Sequence, residues 1–164
     1  MNGISRRAAI AGGLASLAAC TRTLSYDGPP VTNVIVKKDR RKMYLMHHNS
    51  VLKDFRVQLG FTPVGHKIHA GDGRTPEGRY LIDRRNPNSS FHLSVGISYP
   101  NAKDCAYAAA LGKHPGGDIF IHGWGEQTPE RNEDWTAGCV AVTNHEMETV
   151  WSMVRTNTVI DILA

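Results

Sequence analysis

Three runs decide the fold class: Val31-Thr32-Asn33-Val34-Ile35-Val36-Lys37, then Lys42-Met43-Tyr44-Leu45-Met46-His47, then Val51-Leu52-Lys53-Asp54-Phe55-Arg56-Val57-Gln58-Leu59. The first is rich in β-branched residues, which lose rotamer freedom in a helix and pack well on a pleated surface. The second and third alternate, through Met43 and Leu45 and then Phe55, Val57 and Leu59. Alternation at period two puts one face of a strand inward. The separators Asp39-Arg40-Arg41 and His48-Asn49-Ser50 are of turn length. The domain therefore opens as an antiparallel meander.

Working outward, residues 60–103 are dense in Gly, Pro, Asn and Asp and read as turns and irregular loops, Asn86-Pro87-Asn88-Ser89-Ser90 among them. Tyr80-Leu81-Ile82 and the run from Phe91 to Ile97 are strands within that region. Asp104 to Leu111 reads as a short helix in which Cys105 is a buried, inert thiol. Asp118 to His122 is a strand, and Val140-Ala141-Val142 another short extended run. A helix starts at Thr143, whose spacing to Glu146 is that of a capping box, and Asn144 is a second capping candidate. Met147, Val150, Trp151 and Val154 fall at i, i+3, i+4 and i+7, so one face packs on the sheet. Thr158 to Leu163 closes the chain as a strand. The fold class is mainly β with one or two short α-helices. There is neither an internal repeat nor a βαβ alternation.

The chain has 164 residues and a formal charge of +4. That balance is mild and no Lys/Arg-rich run appears, so nucleic acid is not an expected partner. The first residues, Met1-Asn2-Gly3-Ile4-Ser5-Arg6-Arg7, precede a small apolar run from Ala8 to Ala19 that is too short to span a bilayer, which takes about 20 residues. This is the pattern of an export signal. Leu17-Ala18-Ala19-Cys20 resembles a bacterial lipobox, and Ser5-Arg6-Arg7 resembles a twin-arginine signal. The expectation is a signal peptide over 1–19, a lipidated Cys20 and tether over 20–30, and one domain over 31–164. Thr21 is not the aspartate that would mark inner-membrane retention. The expected location is therefore the periplasm, lipid-anchored at the outer membrane of a Gram-negative bacterium. The membrane partner would act through the N-terminal lipid.

His122 ends an apolar run, and Cys139 follows it by seventeen residues, after Gly138. A thiol titrates near ~8.5 and its thiolate is the nucleophile, so a neighbouring histidine supplies the base it needs. The loop over 123–136 is polar but holds Trp124 and Trp135, which suits a structured rim. A catalytic Cys139 is expected to label quickly at neutral pH, with a low apparent pKa. The structural alternative is a core cysteine beside a packed histidine. In an exported protein, a Cys105–Cys139 disulfide is a further alternative, and it would disarm the thiol. His66-Lys67-Ile68-His69 with Asp72 has ligand-like spacing. Without a second cluster or an H-E-x-x-H motif, however, neither a metal nor another cofactor is expected.

His122-Gly123, the seventeen-residue step, Thr136-Ala137-Gly138-Cys139-Val140 and Asn144 together resemble the L,D-transpeptidase catalytic-domain family of bacterial cell-wall enzymes. The likeness extends upstream through Thr75-Pro76-Glu77-Gly78-Arg79-Tyr80 and the opening meander, over roughly residues 31–164. The resemblance implies a β-sandwich or open-barrel-like fold and action on peptidoglycan stem peptides. Cys139 would attack the carbonyl after the third stem residue, releasing the terminal D-alanine, with His122 as base. The carbonyl of Gly123 would orient the imidazole, and backbone N–H groups at Gly138 and Cys139 would hold the oxyanion. A small residue before the nucleophile would let substrate approach. Trp124, His92, Tyr99, Asn86, Arg131 and Thr136 are candidate substrate-binding residues, each with an alternative role in packing or loop pinning. The common motif has histidine and arginine where this chain has Ala137 and Ala141. Arg79, Arg84, Arg85, Lys103 and Arg131 are the candidates to replace that arginine. The lead reading is L,D-transpeptidation. The alternatives are hydrolysis on the same fold, including L,D-carboxypeptidase action or release of a wall-attached lipoprotein, and a non-catalytic wall-binding lipoprotein.

Overall fold

A computed structural model describes residues 24–130 and 133–164. The export signal, Cys20 and Arg131 lie outside the described residues.

The meander forms as the alternation predicts. β1 (Asn33–Lys37) pairs antiparallel with β2 (Lys42–His47), and β2 pairs antiparallel with β3 (Ser50–Arg56). Val34, Val36, Met43 and Leu45 are fully buried, while their sequence neighbours on the other face are only partly covered. The other edge of β1 is taken by the end of the chain: β8 (Val159–Leu163) lies parallel to it, with Val34 opposite Ile160 and Val36 opposite Ile162. That pairing spans almost the whole domain and has no local sequence signal.

β4 (Gly78–Ser89) joins the two halves of the sheet. Its first residues, Gly78 to Leu81, pair antiparallel with β8, and the rest pairs with β5 (His92–Ile97). β6 (Phe120–His122) adds antiparallel to β5, and β7 (Val140–Ala141) adds parallel to β6. The strand order is β3-β2-β1-β8-β4-β5-β6-β7. Beyond β3 the chain crosses to the opposite edge. Gln58 bridges Ala141, exchanging N–H···O=C bonds of 2.9 and 2.8 Å. The two edges thus meet, and the sheet nearly closes on itself, which removes exposed edges next to β7.

Three sequence expectations change here. Asn86 to Ser89 is strand, because the irregularity between Asn86 and Ser89 absorbs Pro87, which has no N–H to donate to a ladder. The first helix, α1 (Ala102–Ala110), starts earlier than read, because Asn101 caps it in a reciprocal box with Asp104. α1 buries only Asp104 and Ala108, so Cys105 faces outward and is exposed rather than buried. The second helix, α2 (Asn144–Met153), is capped by Thr143 with Glu146. It buries Met147, Val150 and Met153 and packs on β5 and β6. Trp151 is only partly covered and lies under the Arg85 guanidinium at 3.9 Å.

Candidate active site

Ile119 and Ile121 point into the core, so Phe120 and His122 share the opposite face of β6. In the β6–β7 register Ile121 pairs with Val140 and His122 with Ala141. One step earlier, Cys139 falls beside Phe120, on the face that carries His122. Both side chains line a cavity of about 290 Å³ with Asn86, Ser94, Phe91 and Phe120.

The thiol sits in a backbone cradle. Its Sγ accepts from the Phe120 N–H at 3.4 Å and donates to the Asp118 carbonyl at 3.6 Å. Among the described residues no hydrogen bond joins it to the imidazole. Burial pushes the Cys139 thiol above its ordinary value. The Phe120 N–H opposes this, Asp118 adds to it, and Lys67 and Arg84 oppose it from a distance. The expectation of a low thiol pKa is therefore reversed, because desolvation outweighs the nearby cations. Cys105 and Cys139 are both free thiols.

His122 is buried between two rings, Phe91 at 4.6 Å and Trp135 at 5.8 Å between centroids. Its Nδ1 lies 2.6 Å from the Gly123 carbonyl. A carbonyl only accepts, so Nδ1 carries the proton and Nε2 keeps the lone pair of the neutral ring. Burial lowers the His122 pKa, and the bond to Gly123 partly offsets that. The resting pair is thus a neutral thiol and a neutral imidazole, and the ring is fixed in the tautomer a base at Nε2 requires.

Glycines hold this geometry. Gly138 has φ +134°, and a Cβ there would sit 2.7 Å from the Arg74 carbonyl. The need for a small residue before Cys139 therefore comes first from its own backbone and from Arg74, ahead of any substrate. A Cβ on Gly123 would meet Asn144 Oδ1 at 2.6 Å. The Asn144 carboxamide accepts from the Gly125 N–H and donates to the Gly125 carbonyl, both at 2.9 Å, which pins the turn after His122. Asn144 is thus the first residue of α2 and a loop anchor, not its cap.

The candidate residues separate in space. Asn86 lines the Cys139 cavity. Thr136 is buried; its hydroxyl donates to the Cys139 carbonyl at 2.8 Å and accepts from the Gly138 N–H at 3.2 Å, so it braces the turn from inside. That engages the Gly138 N–H and removes it from the expected oxyanion pair. Tyr99 is also buried, donating to the Pro115 carbonyl at 2.9 Å and packing on Tyr80, away from the cavity. A phenol that can reach a partner only inside the core cannot serve as a rim residue. His92, the first residue of β5 and at φ +73°, turns outward to Glu148 at 3.2 Å. Trp124 lines a second cavity, of about 320 Å³, with Arg56, Gln58, Pro129, Ala141, Val142, Thr143 and Glu146.

Of the described basic candidates, Arg84 comes nearest the thiol, lying over the Phe120 ring at 4.4 Å and bridging Asp118 at 3.2 Å. Arg79 pairs with Asp161, Arg85 donates to the carbonyls of Trp151 and Val154 at the end of α2, and Lys103 sits in the first turn of α1. The metal-like spacing does not gather a site. His66 accepts from the Glu77 N–H and faces Asp104, whereas Asp72 takes Lys67 and three backbone N–H groups.

Sequence reasoning missed the clamp on the rim loop. Arg41 donates in bidentate fashion to Asp134, which also accepts from the Leu59 N–H, and Gln58 receives the Trp135 indole N–H at 3.0 Å. Arg41 and Gln58 read only as a turn and a strand residue, and nothing local marked them. Phe91, Ser94 and Phe120 were equally unmarked, because a cavity wall is a property of register.

The description of the L,D-transpeptidase catalytic domain (YkuD) matches residues 32–162. No curated protein matches the chain. Among solved structures, the helical cell shape determining protein Pgp2 of Campylobacter jejuni (K307A mutant) is similar at 24% identity and TM-score 0.63, covering 84% of this chain and 48% of that one. Bd1075 of Bdellovibrio bacteriovorus follows at 21% identity and TM-score 0.58, covering 82% and 48%. L,D-transpeptidase 1 of Mycobacterium tuberculosis aligns at 11% identity and TM-score 0.53, covering 82% and 62%. The chain spans about half the length of the first two, and at these identities the likeness is one of fold. With the family description covering nearly all of the described residues, the chain belongs to the L,D-transpeptidase catalytic-domain family.

Proposed function

We propose that the protein modifies peptidoglycan by L,D-transpeptidation through an acyl-enzyme on Cys139. The observation that carries this reading is the fixed imidazole: Nδ1 is held to Gly123, with His122 and Cys139 on one cavity wall. Substrate entering the cavity breaks the weak S–H contact to the Asp118 carbonyl, and the thiol proton passes to His122 Nε2. The thiolate adds to the carbonyl after the third stem residue. The C–N bond to D-alanine breaks as the imidazolium returns its proton to the leaving amine. An amine acceptor then takes the acyl group from sulfur, losing its proton through His122. With the Gly138 N–H engaged, the Cys139 N–H is the amide left to face the oxyanion. A general-base route suits the resting neutral pair better than a preformed thiolate does. The protein works in the periplasm, tethered through lipidated Cys20. The family and the name of the Campylobacter neighbour together suggest a part in cell shape.

The test mixes the protein with tetrapeptide muropeptides and, separately, with sacculi carrying attached lipoprotein, with Cys139→Ala as control and mass spectrometry of the products. Crosslinks between third residues, or exchanged D-amino acids, establish transpeptidation. Tripeptide or freed lipoprotein without crosslinks makes water the acceptor and overturns the transferase reading.

A further inference from the structure

The second cavity lies on the same face as the thiol and imidazole. His122 lines one cavity, and its register partner Ala141 lines the other. Apolar walls come from Ala141, Val142 and Pro129. Gln58 is satisfied at both ends, donating to the Glu130 carbonyl at 2.7 Å and accepting from Trp135 at 3.0 Å. Trp124 differs: its indole N–H is buried and, among the described residues, is the one buried side-chain polar atom without a hydrogen-bond partner. Such groups are rare in folded proteins and call for an explanation. Arg56 on β3 lines the same cavity, and its guanidinium carries five N–H donors. Thr143, at the N-terminus of α2, adds the positive end of a helix dipole. Glu146 is the one carboxylate on the wall, and one of its oxygens is taken by the Thr143 N–H and hydroxyl.

We propose that this cavity is a carboxylate-binding subsite in which the Arg56 guanidinium and the Trp124 indole N–H receive the carboxylate of a peptide or amino-acid ligand. Glu146 faces the ligand's N–H or ammonium. The donors and the acceptor match a group carrying a carboxylate at one end and a nitrogen donor at the other. The choice of ligand rests on the peptidoglycan reading, but the binding chemistry does not depend on it.

The test is calorimetric titration of the full chain with N-acetyl-D-alanine, D-alanine and N-acetyl-D-alaninamide. The carboxylates are expected to bind at least about tenfold more tightly than the amide, and Arg56→Gln and Trp124→Phe should each remove most of that preference without changing amide binding. Arg56 is exposed, so its variant folds even if the tryptophan variant does not. Tighter binding of the acetylated probe identifies a peptide end, and tighter binding of D-alanine identifies a free amino acid. Equal binding of acid and amide, or a preference that survives both variants, overturns the subsite. Acylation of Cys139 by tetrapeptide is read in parallel. Carboxylate preference without acylation keeps the subsite and sinks the peptidoglycan reading, and acylation without preference does the reverse.

Discussion

Cys139 and His122 are both held neutral, and that state has consequences for pH. His122 is lowered by burial, so its neutral, basic form persists below its ordinary value of 6.5, and the acid limb of kcat/KM should lie below that pH. Alkylation of Cys139 without substrate should be slow at pH 7 and rise only above 9.0, because burial raises the thiol. Rapid labelling at pH 7 would contradict the neutral pair. Stability should follow the same two groups. As pH falls below 6.5 the unfolded chain protonates its histidine first, and as pH rises above 9.0 it ionises its cysteine first, so stability drops on both sides. Gly138→Ala introduces strain at φ +134° and a Cβ 2.7 Å from the Arg74 carbonyl. A loss of about 3 kcal/mol, read as a fall in Tm of roughly 6–12 °C, is expected. The residue types of the site were legible from the Cys–His spacing. The thiol pKa was not, because desolvation depends on what packs above the group.

At the scale of elements, the site is held by α2 and by the loop over 66–75. Asn144→Ala removes two hydrogen bonds to Gly125 and frees the turn behind His122. The expected cost is about 2 kcal/mol. The expected fall in muropeptide turnover is on the order of tenfold to a hundredfold, since a displacement near 1 Å suffices for the larger figure. Retained turnover with lowered Tm would show that the anchor is structural alone. The loop is knotted on Asp72. Burial alone would raise its carboxyl, but Lys67 and the N–H groups of Ile68, Arg74 and His69 hold it at about 2. The knot positions the Arg74 carbonyl against Gly138. Its contribution should be present above pH 4 and disappear as pH falls toward 2, and Asp72→Asn should flatten that acid limb in a urea-unfolding series. α2 was legible down to its capping box, because helix signals are local. The bulged end of β4 was not, because Pro87 and its Asn neighbours carry turn chemistry that pairing with β5 overrides.

Across the whole molecule, the strand that organises the sheet comes last in the chain. β8 lies between β1 and β4, and Ile160 and Ile162 are buried against the core. Burying each contributes roughly 1.5–3 kcal/mol before the two ladders are counted, against a net stability of about 5–15 kcal/mol for an ordinary domain. Truncation after Asn157 should therefore abolish the cooperative thermal transition in circular dichroism, and a preserved transition would show that the two half-sheets stand alone. The mainly β character was readable from alternation. The near-closure through Gln58 and Ala141 was not, since it joins residues far apart in sequence. That closure backs β7, whose pairing with β6 sets Cys139 beside Phe120 on the face that carries His122. A nucleophilic role of Cys139 toward stem peptides is tested by the intact mass of the protein after brief exposure to tetrapeptide muropeptide. The expected result is a tripeptide acyl adduct on Cys139 that is absent in Cys139→Ala and strongly reduced in His122→Ala. Full turnover by Cys139→Ala, with no adduct on the parent, would contradict it.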